Sequence, residues 1–278
     1  MATTDVYSIC GSLTPTKPAL RFRANAADGV QVDAAIAAIV TANHTIGTFS
    51  AWIMVPNNTG TYTIFGAGNS ATVEYMTISV KAGLIQALII DTGPSTRIDV
   101  STPANSIKPN TWHHVAVVQD AVCMKIYIDG ILQTLTWATS TEITQWFDDL
   151  DTINGGHIGA ADSVAGGAAL SQEFKGYISD VRIWSGTTSA SALTEKQVGQ
   201  VMSGQTVGAA YEWWTLDRSV VSKGSNATTG TIAGALIYVD ANEFSSKLTF
   251  TAYTLIAATN VSLCMSNGTA MALFVPSA

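Results

Sequence analysis

Short runs of β-branched and aromatic residues alternate with turn clusters along most of the chain. Such runs are TFSAWIMV, TYTIFGAG, MTISVKAG, LIQALIIDTG, TRIDVST, HHVAVVQD, CMKIYIDG and YISDVRIWSG. Between them, segments such as PNNTG, TGPS and IDGI supply residues that tolerate the positive or fixed φ angles of tight reversals. The regular spacing of short strands and turns predicts a sandwich of antiparallel strands.

Two segments have helical patterns instead. In LTEKQVGQVM, Thr194 can cap a helix, Gln197 stands at the capping-box position, and Leu193 can pack on Val198. This pattern predicts one short helix of about two turns. The alanine-rich segment 33–40 predicts a brief helical turn before the next strand.

We predict three segments along the chain: an N-terminal arm at residues 1–18, a sandwich domain at 19–240 and a β-module or tail at 241–278. The last segment contains apolar β-like runs and the pair Asn267-Gly268, which favours a hairpin turn. Left exposed, these strands would be aggregation-prone edges. We therefore expect them to pack on the sandwich or on a neighbouring molecule.

The charge of the chain excludes several partners. The 278 residues carry a formal net charge of -7, with only 13 Lys and Arg, so no basic patch is available for nucleic acid. No apolar run reaches the ~18 residues that a membrane span needs, and the N-terminus has no pattern of a classical signal peptide. Cys10, Cys123 and Cys264 are widely spaced and contain no CxxC pair, which argues against a disulfide framework or a zinc site.

The adjacent residues His113 and His114 are the first candidates for chemistry. Side chains alternate across a strand, so the two rings must point to opposite faces and cannot chelate one ion together. We therefore predict structural roles for both histidines. The same alternation puts Trp112, Ala116 and Val118 on the face of His114.

The sequence lacks the residue patterns of the catalytic sites considered for this fold. Glycoside hydrolysis needs two carboxylates about 5–9.5 Å apart. Only Asp149 and Asp151 have a suitable spacing, and QWFDDLDTINGG has the composition of a loop. There is no GxSxG motif. We therefore predict that the protein is not an enzyme, with a divergent glycosidase as the weakest alternative.

Several segments resemble the laminin-G-like, concanavalin-A-like jelly-roll family. ALRF, FSAWIMV, WHHVAVVQDAVCMKIYIDG and FKGYISDVRIW look like its successive strands, and SASALTEKQVGQVMSG is similar to its following helix. The resemblance implies an all-β fold: an antiparallel jelly-roll β-sandwich with one short helix and an extra C-terminal β segment. It also implies a set of core or near-core anchors: Trp52, Trp112, Trp184 and Trp214.

The resemblance also implies a calcium site at the rim of the sandwich. There, Asp180 would bind the ion together with loop oxygens around Asn25 and Asp28, although Arg23 stands where such proteins often carry a small or acidic group. Calcium is the one candidate cofactor, because its oxygen ligands come from Asp, Asn and carbonyl groups in loops, the alternative being that these residues are solvated loop carboxylates and turn formers. Separately, the core motif of the family does not require Trp137, Trp146 or Trp213. Trp137 and Trp146 can present two rings on a loop that stacks on a sugar or a protein, the alternative being that they pack within the loop.

We interpret the chain as a non-catalytic structural or interaction protein. The first hypothesis is a virion surface component, such as a decoration, capsid-associated or tail protein, that assembles with other structural subunits into an oligomer. The alternative is a free-standing adhesion module that binds surface glycans or proteins, with or without calcium. Both hypotheses place the protein at a virion or extracellular surface.

Overall fold

The computed structural model describes residues 18–25, 28–69, 72–91, 95–150, 153–161 and 170–239. Residues 1–17 of the predicted arm and the tail at 241–278 lie outside the described residues, so the segment boundaries stay predictions. In chain order the elements are β1 (Ala19–Arg23), β2 (Gly29–Gln31), α1 (Asp33–Thr41), β3 (Ile46–Met54), β4 (Thr61–Gly68), β5 (Tyr75–Lys81), β6 (Leu84–Asp91), β7 (Ser95–Ser101), β8 (His113–Gln119), β9 (Met124–Ile128), β10 (Ile131–Leu132), β11 (Thr136–Ser140), β12 (Gly155–Ile158), β13 (Lys175–Gly186), α2 (Glu195–Met202), β14 (Glu212–Trp214), β15 (Thr231–Ala233) and β16 (Ile237–Val239).

The described strands form two eight-stranded antiparallel sheets. Sheet A has the order β10-β9-β8-β3-β13-β1-β16, and β14 pairs with β13 beside this path. Sheet B has the order β11-β7-β6-β5-β4-β12-β2-β15. The predicted antiparallel sandwich is therefore confirmed.

The main core fills the space between the two sheets. Alternation along β8 sends Val115 and Val117 into this core and Ala116 and Val118 to the outer face of sheet A. Large rings complete the packing, and these are fully buried: Phe22, Phe49, Phe65, Phe147, Trp146, Phe174 and Trp214. Each aromatic ring removes about 150–250 Å² from water, so these side chains supply much of the hydrophobic stabilisation.

A second, smaller core lies on the outer face of sheet A, beneath α2. Its members are Ala116, Val118, Tyr127, Trp184, Leu193, Val198, Val201, Val207 and Ala210. Helix α2 begins with the predicted capping box, in which Thr194 and Gln197 each satisfy the other's backbone amide. Leu193 and Val198 are both buried in this second core, as the predicted hydrophobic staple requires.

Helix α1 is longer than the brief turn predicted from the sequence. It spans nine residues and buries Ala35, Ile36 and Ile39. The helix lies so close to β12 that a Cβ atom at Gly156 would come within 2.5 Å of Ile36 Cγ1. Asp33 Oδ1 also accepts a hydrogen bond from the Gly156 amide at 2.9 Å. Tertiary contacts with β12 therefore stabilise a helix that is longer than the turn predicted from its sequence.

The two adjacent histidines have separate structural roles. His113 Nε2 accepts a hydrogen bond from the Lys108 amide at 3.0 Å, so Nδ1 carries the proton and donates to Asp129 Oδ2 at 2.7 Å. The His114 ring packs on Trp52 with centroids 5.4 Å apart. Both nitrogens of His113 are used to hold the ends of the β8–β9 hairpin, which leaves no basic nitrogen for catalysis.

The tryptophan anchors implied by the family resemblance are confirmed. Trp214 is fully buried in the main core, Trp184 lies in the second core at 4% exposure, and Trp112 is 7% exposed. Trp52 is half-buried, so it is the near-core member of the set. In the part of the chain that the structure describes, no helix has the length and apolar character needed to span a bilayer.

Candidate functional site

Asp28 and Asn25, two of the predicted calcium ligands, lie together in the turn after β1. Asp28 is fully buried. Its Oδ2 atom accepts hydrogen bonds from the amides of Arg23 at 3.2 Å and Asn25 at 3.3 Å, and Oδ1 accepts from the Ala235 amide at 3.0 Å. The carboxylate therefore ties the turn after β1 to the turn between β15 and β16.

Asp180, the third predicted ligand, has a different set of partners. Its Oδ1 and Oδ2 atoms accept hydrogen bonds from Arg182 Nε at 2.9 Å and Nη2 at 3.0 Å. The guanidinium next to this carboxylate opposes the approach of a second cation. Within the described ranges, no group of three or more His, Cys, Asp and Glu side chains converges in a geometry that could hold a metal ion. The calcium site at Asp180, Asp28 and Asn25 stays a prediction.

The structure corrects the prediction that Trp146 is a ligand-stacking ring. Trp146 is fully buried and packs on Phe147 with centroids 4.7 Å apart. Its amide donates to Asp149 Oδ2 at 2.8 Å, at the start of a 3₁₀ turn over Phe147–Asp149. The turn draws the indole into the main core, so no face of the ring is available to a sugar.

Trp137 lies in β11, at the edge of sheet B, rather than in a loop. Its partner in β7 is Val100, which is buried, and the half-buried indole packs against the main core. The ring keeps part of its surface in solvent. Its role in ligand binding stays a prediction.

Asp149, one of the two carboxylates considered for glycoside hydrolysis, is a structural group. Burial raises the pKa of its carboxyl, and the hydrogen bond from the Trp146 amide acts in the opposite direction. Asp149 ends a 3₁₀ turn, so the predicted loop is confirmed. Asp151 lies outside the described residues.

A cleft of about 330 Å³ opens on the outer side of sheet A, beside the second core. Its floor is formed by Arg182 and Trp184 of β13 and by Trp213 of β14. The segment 206–210 forms one wall and Lys223–Ser225 the other. We call this the Trp213 cleft.

A β-bulge in β13 shapes the floor of the cleft. Ser179 pairs with Trp52 and Arg182 pairs with Ser50, so β13 contains one residue more than β3 over this interval. Asp180 lies within the bulge at φ 52°, a left-handed conformation that Asp tolerates better than most residues. Its amide donates to the Thr215 carbonyl at 3.1 Å. The bulge thereby brings the Asp180 carboxylate to both Arg182 and Trp213.

Trp213 is held from two directions. Its Nε1–H group donates to Asp180 Oδ1 at 2.6 Å, and the guanidinium carbon of Arg182 lies 4.2 Å from the ring centroid. A cation at this distance over an indole face forms a favourable cation–π contact. The Nζ atom of Lys223 lies 5.7 Å from the same ring. Trp213 is half-buried, so the ring is fixed in place yet reaches the cleft.

Backbone contacts fix the two walls. Trp184 Nε1 donates to the Val207 carbonyl at 2.9 Å, and Arg182 Nη1 donates to the Gln205 carbonyl at 3.3 Å. On the other side, the Lys223 amide donates to the Trp213 carbonyl at 2.7 Å. A Cβ atom at Gly224 would lie 2.4 Å from the Tyr211 carbonyl oxygen, so only glycine fits at that position.

Glu212 supports the second wall from the opposite side of β14. It is fully buried, and its Oε1 atom accepts hydrogen bonds from Asn226 Nδ2 at 2.6 Å and Thr228 Oγ1 at 2.9 Å. Alternation along β14 directs Glu212 away from the face that carries Trp213. The Glu212 carboxylate therefore organises the loop that carries Lys223 without facing the cleft.

Among the charged and aromatic residues of this site, Arg182 and Lys223 were not singled out from the sequence, and Trp184 was predicted only as a core anchor. Arg182 and Trp184 alternate within SDVRIW, a signal that both side chains share one face of a strand. No sequence signal marked Lys223. Trp213 stood out only as a ring that the core does not require. The cleft depends on contacts between β13, β14 and the two loops that flank β14, which no local pattern reveals.

A family model described as the concanavalin A-like lectin/glucanases superfamily, of the laminin G type, matches residues 25–194. The chain belongs to this superfamily. The matched range includes Asp180, Arg182 and Trp184, whereas Trp213 and Lys223 follow it. The Trp213 cleft is thus built partly from a segment beyond the superfamily match. Among curated proteins, none matches the sequence.

Solved structures of the superfamily fold share little sequence with this chain. The CBM40 of the Ruminococcus gnavus IT-sialidase, bound to α2,3-sialyllactose, is 13% identical with a TM-score of 0.52, over 66% of this chain and 96% of that one. The leech intramolecular trans-sialidase is 17% identical with a TM-score of 0.51, over 69% of this chain and 29% of that one. A Bacteroides ovatus protein described as a candidate carbohydrate-binding protein is 20% identical with a TM-score of 0.50, over 80% and 59%.

Proposed function

We propose that this chain is a non-catalytic carbohydrate-binding module and that its ligand occupies the Trp213 cleft. The observation that carries the proposal is the half-buried indole of Trp213, held by Asp180 and Arg182 at the floor of an open cleft. A fixed aromatic ring gives a ligand a rigid apolar surface at little cost in side-chain entropy.

The cleft has the chemical groups that a sugar requires. A pyranose ring offers C–H groups on its faces, which pack on an indole, and hydroxyl groups at its edges, which need hydrogen-bonding partners. The walls supply Lys223 and the backbone of residues 206–210 around the ring. A mostly apolar concave site with a few placed polar groups is the usual form of a small-molecule site.

The similar solved structures support glycan binding, the alternative prediction, over the predicted role as a virion component. Two of these proteins are described as binding a carbohydrate, and the structural match spans 96% of the CBM40 chain. Surface glycans are then the proposed partners, in place of structural subunits. An extracellular surface is the proposed location, because that is where such glycans are displayed.

The carboxylates near the cleft support binding rather than hydrolysis. Hydrolysis of a glycosidic bond needs one carboxyl group as acid and a second as base or nucleophile. Asp180 is engaged by Arg182 through both of its oxygens. The described residues that line the cleft include no Asp or Glu.

A glycan array with the full chain tests the proposal. We expect the wild-type protein to bind a defined set of glycans and Trp213→Ala to lose that set while its circular dichroism spectrum stays unchanged. Trp137→Ala is the comparison variant, because Trp137 is also half-buried but lies in sheet B, so loss of binding in this variant instead of in Trp213→Ala would place the ligand at β11. The proposal is overturned if the wild type binds no glycan, or if Trp213→Ala binds the same glycans as the wild type.

A further inference from the structure

We infer that the Trp213 cleft selects a sugar that carries a carboxylate, and that the ammonium group of Lys223 contacts this carboxylate. The inference rests on the proposed function and names the class of ligand for the same cleft. It comes from the distribution of charge around the Trp213 ring.

Lys223 is an exposed cation at the mouth of the cleft. Its backbone amide is fixed by the Trp213 carbonyl at 2.7 Å, and its Nζ atom lies 5.7 Å from the Trp213 ring. In the described part of the chain, no carboxylate lies within salt-bridge distance of this Nζ atom. Its three N–H donors are therefore available to a ligand that packs on the ring.

The nearby carboxylates do not cancel this charge at the mouth. Asp180 forms a two-point ion pair with Arg182, and the side chains of the two residues are 13% and 4% exposed. Glu212 is fully buried on the opposite side of β14, where Asn226 and Thr228 donate to it. The accessible charge of the cleft is thus positive, in a protein whose formal net charge is -7.

Arg182 provides a second, deeper set of donors. A guanidinium has five N–H groups, and three of them are used by Asp180 Oδ1, Asp180 Oδ2 and the Gln205 carbonyl. Nη1 and Nη2 each retain one N–H group. The stacked geometry fixes this planar fork beside the indole, and such a fork binds two oxygens of a carboxylate or another oxyanion through parallel N–H groups.

The size of the cleft limits the ligand to a small part of a glycan. Its volume of about 330 Å³ is near the lower end of the range for small-molecule sites, about 300–1,000 Å³. A terminal acidic sugar, such as a sialic acid or a uronic acid, matches this volume and presents a ring and a carboxylate together. An extended acidic peptide would run beyond a cleft of this size, so most of its residues would make no contact with it.

The test compares two sugars that differ by one acidic residue. 3′-Sialyllactose and lactose are titrated into the full chain by calorimetry, for the wild type, Lys223→Gln, Lys223→Arg and Lys81→Gln. Lys81 is an exposed lysine at the end of β5 in sheet B, so its variant removes one positive charge away from the cleft. A third sugar, 3′-sulfolactose, distinguishes a carboxylate from a tetrahedral anion.

We expect 3′-sialyllactose to bind about tenfold more tightly than lactose, and Lys223→Gln to weaken its binding by about fivefold, as for an exposed ion pair. Lys223→Arg should restore most of the affinity, and Lys81→Gln should bind like the wild type. The preference for 3′-sialyllactose over lactose should also shrink when the ionic strength rises about tenfold, from about 0.05 to about 0.5 M, because salt screens exposed charges.

Two results would overturn the inference while leaving the proposed function in place. One is equal binding of lactose and 3′-sialyllactose that Trp213→Ala abolishes, which would make the cleft a site for neutral sugars. The other is tighter binding of 3′-sulfolactose than of 3′-sialyllactose. A wild-type protein that binds no glycan on the array overturns the proposed function itself.

Discussion

Trp213 and Asp180 are joined by a 2.6 Å hydrogen bond from the indole Nε1–H group to the carboxylate Oδ1 atom. The same oxygen accepts from Arg182 Nε at 2.9 Å. One carboxylate at a β-bulge thus fixes both the half-buried ring of Trp213 and the cation that stacks on this ring. The cleft depends on Asp180 as a positioning residue, although Asp180 does not line the cleft itself.

Replacement of Asp180 by Asn tests this positioning role. Asn tolerates the left-handed φ angle and can still accept the Trp213 hydrogen bond, but it removes the negative charge beside Arg182. Because Arg182 is 4% exposed, its unpaired charge should lower the free energy of unfolding by about 3 kcal/mol. Urea denaturation measures this change, and glycan affinity should fall in the same variant.

The matched control for Asp180→Asn is Asp120→Asn. Asp120 pairs with Lys125 at the surface, where the lysine side chain is 37% exposed, so the cost should stay below about 1 kcal/mol. Equal effects of the two substitutions would show that the Asp180 pair contributes no more than a surface ion pair.

Truncation of Trp146 should mainly lower the stability of the fold, whereas truncation of Trp213 should mainly lower glycan binding. Trp146 is fully buried in the main core, so Trp146→Ala should lower the free energy of unfolding by about 3–5 kcal/mol. Trp213→Ala removes a half-buried ring and should cost only about 1–2 kcal/mol while it abolishes glycan binding. Thermal denaturation and calorimetric titration of the two variants separate these effects. Loss of binding without loss of stability in Trp146→Ala would contradict the assignment of Trp146 to the core.

The capping box of α2 gives a third prediction. The Gln197 amide donates to Thr194 Oγ1 at 3.4 Å, so Thr194→Ala should lower the free energy of unfolding by about 1 kcal/mol. Thr188 stands at the N-cap position of the 3₁₀ turn Ser189–Ser191 but makes no capping hydrogen bond through its side chain. Thr188→Ala should therefore change the stability by less than about 0.5 kcal/mol. A similar loss in both variants would argue against a role of the side-chain cap.

The bond between His113 and Asp129 predicts a pH-dependent contribution to stability. Burial on its own raises the pKa of the Asp129 carboxyl, but hydrogen bonds from His113 and from the His114 amide outweigh it, so this pKa is lowered. A lowered pKa in the folded state means that the contribution is fully present above the unfolded pKa of about 3.9 and is lost as pH falls through the folded value.

The stability difference between the wild type and Asp129→Asn measures this contribution. Urea denaturation at a series of pH values should give a stability difference above about pH 5, where Asp is ionised in both the folded and the unfolded state. The difference should shrink toward zero as the pH falls below about 4. A difference that grows as pH falls would contradict the direction of the pKa change.

Most strands could be predicted from the sequence because their signals are local. The run TYTIFGAG coincides with β4, Thr61–Gly68, and HHVAVVQD coincides with β8 apart from its last residue. Alternation also gave the faces of His113 and His114. The capping box of α2 was equally visible, because its partners are three residues apart.

The residues of the candidate site could not be predicted in the same way, because their environment comes from distant segments. TWATS was predicted to lie in a loop with Trp146, but pairing with β7 makes it a strand, and Trp137 packs against the core. The bulge at Asp180 shifts the alternation of β13. Lys223 reaches the Trp213 ring only because its loop folds back on β14. Such long-range pairings set the tertiary environment and leave no periodic signal in the chain.

The most direct measurement of the central claim is the indole N–H spectrum of the ¹⁵N-labelled full chain during titration with a glycan that the array identifies. The chain has seven tryptophans, and single Trp→Phe variants assign their signals. If the glycan occupies the Trp213 cleft, the Trp213 signal shifts in a saturable manner while those of the buried residues Trp146 and Trp214 stay in place. A saturable shift of other indoles with an unchanged Trp213 signal would place the ligand elsewhere and refute binding at the cleft.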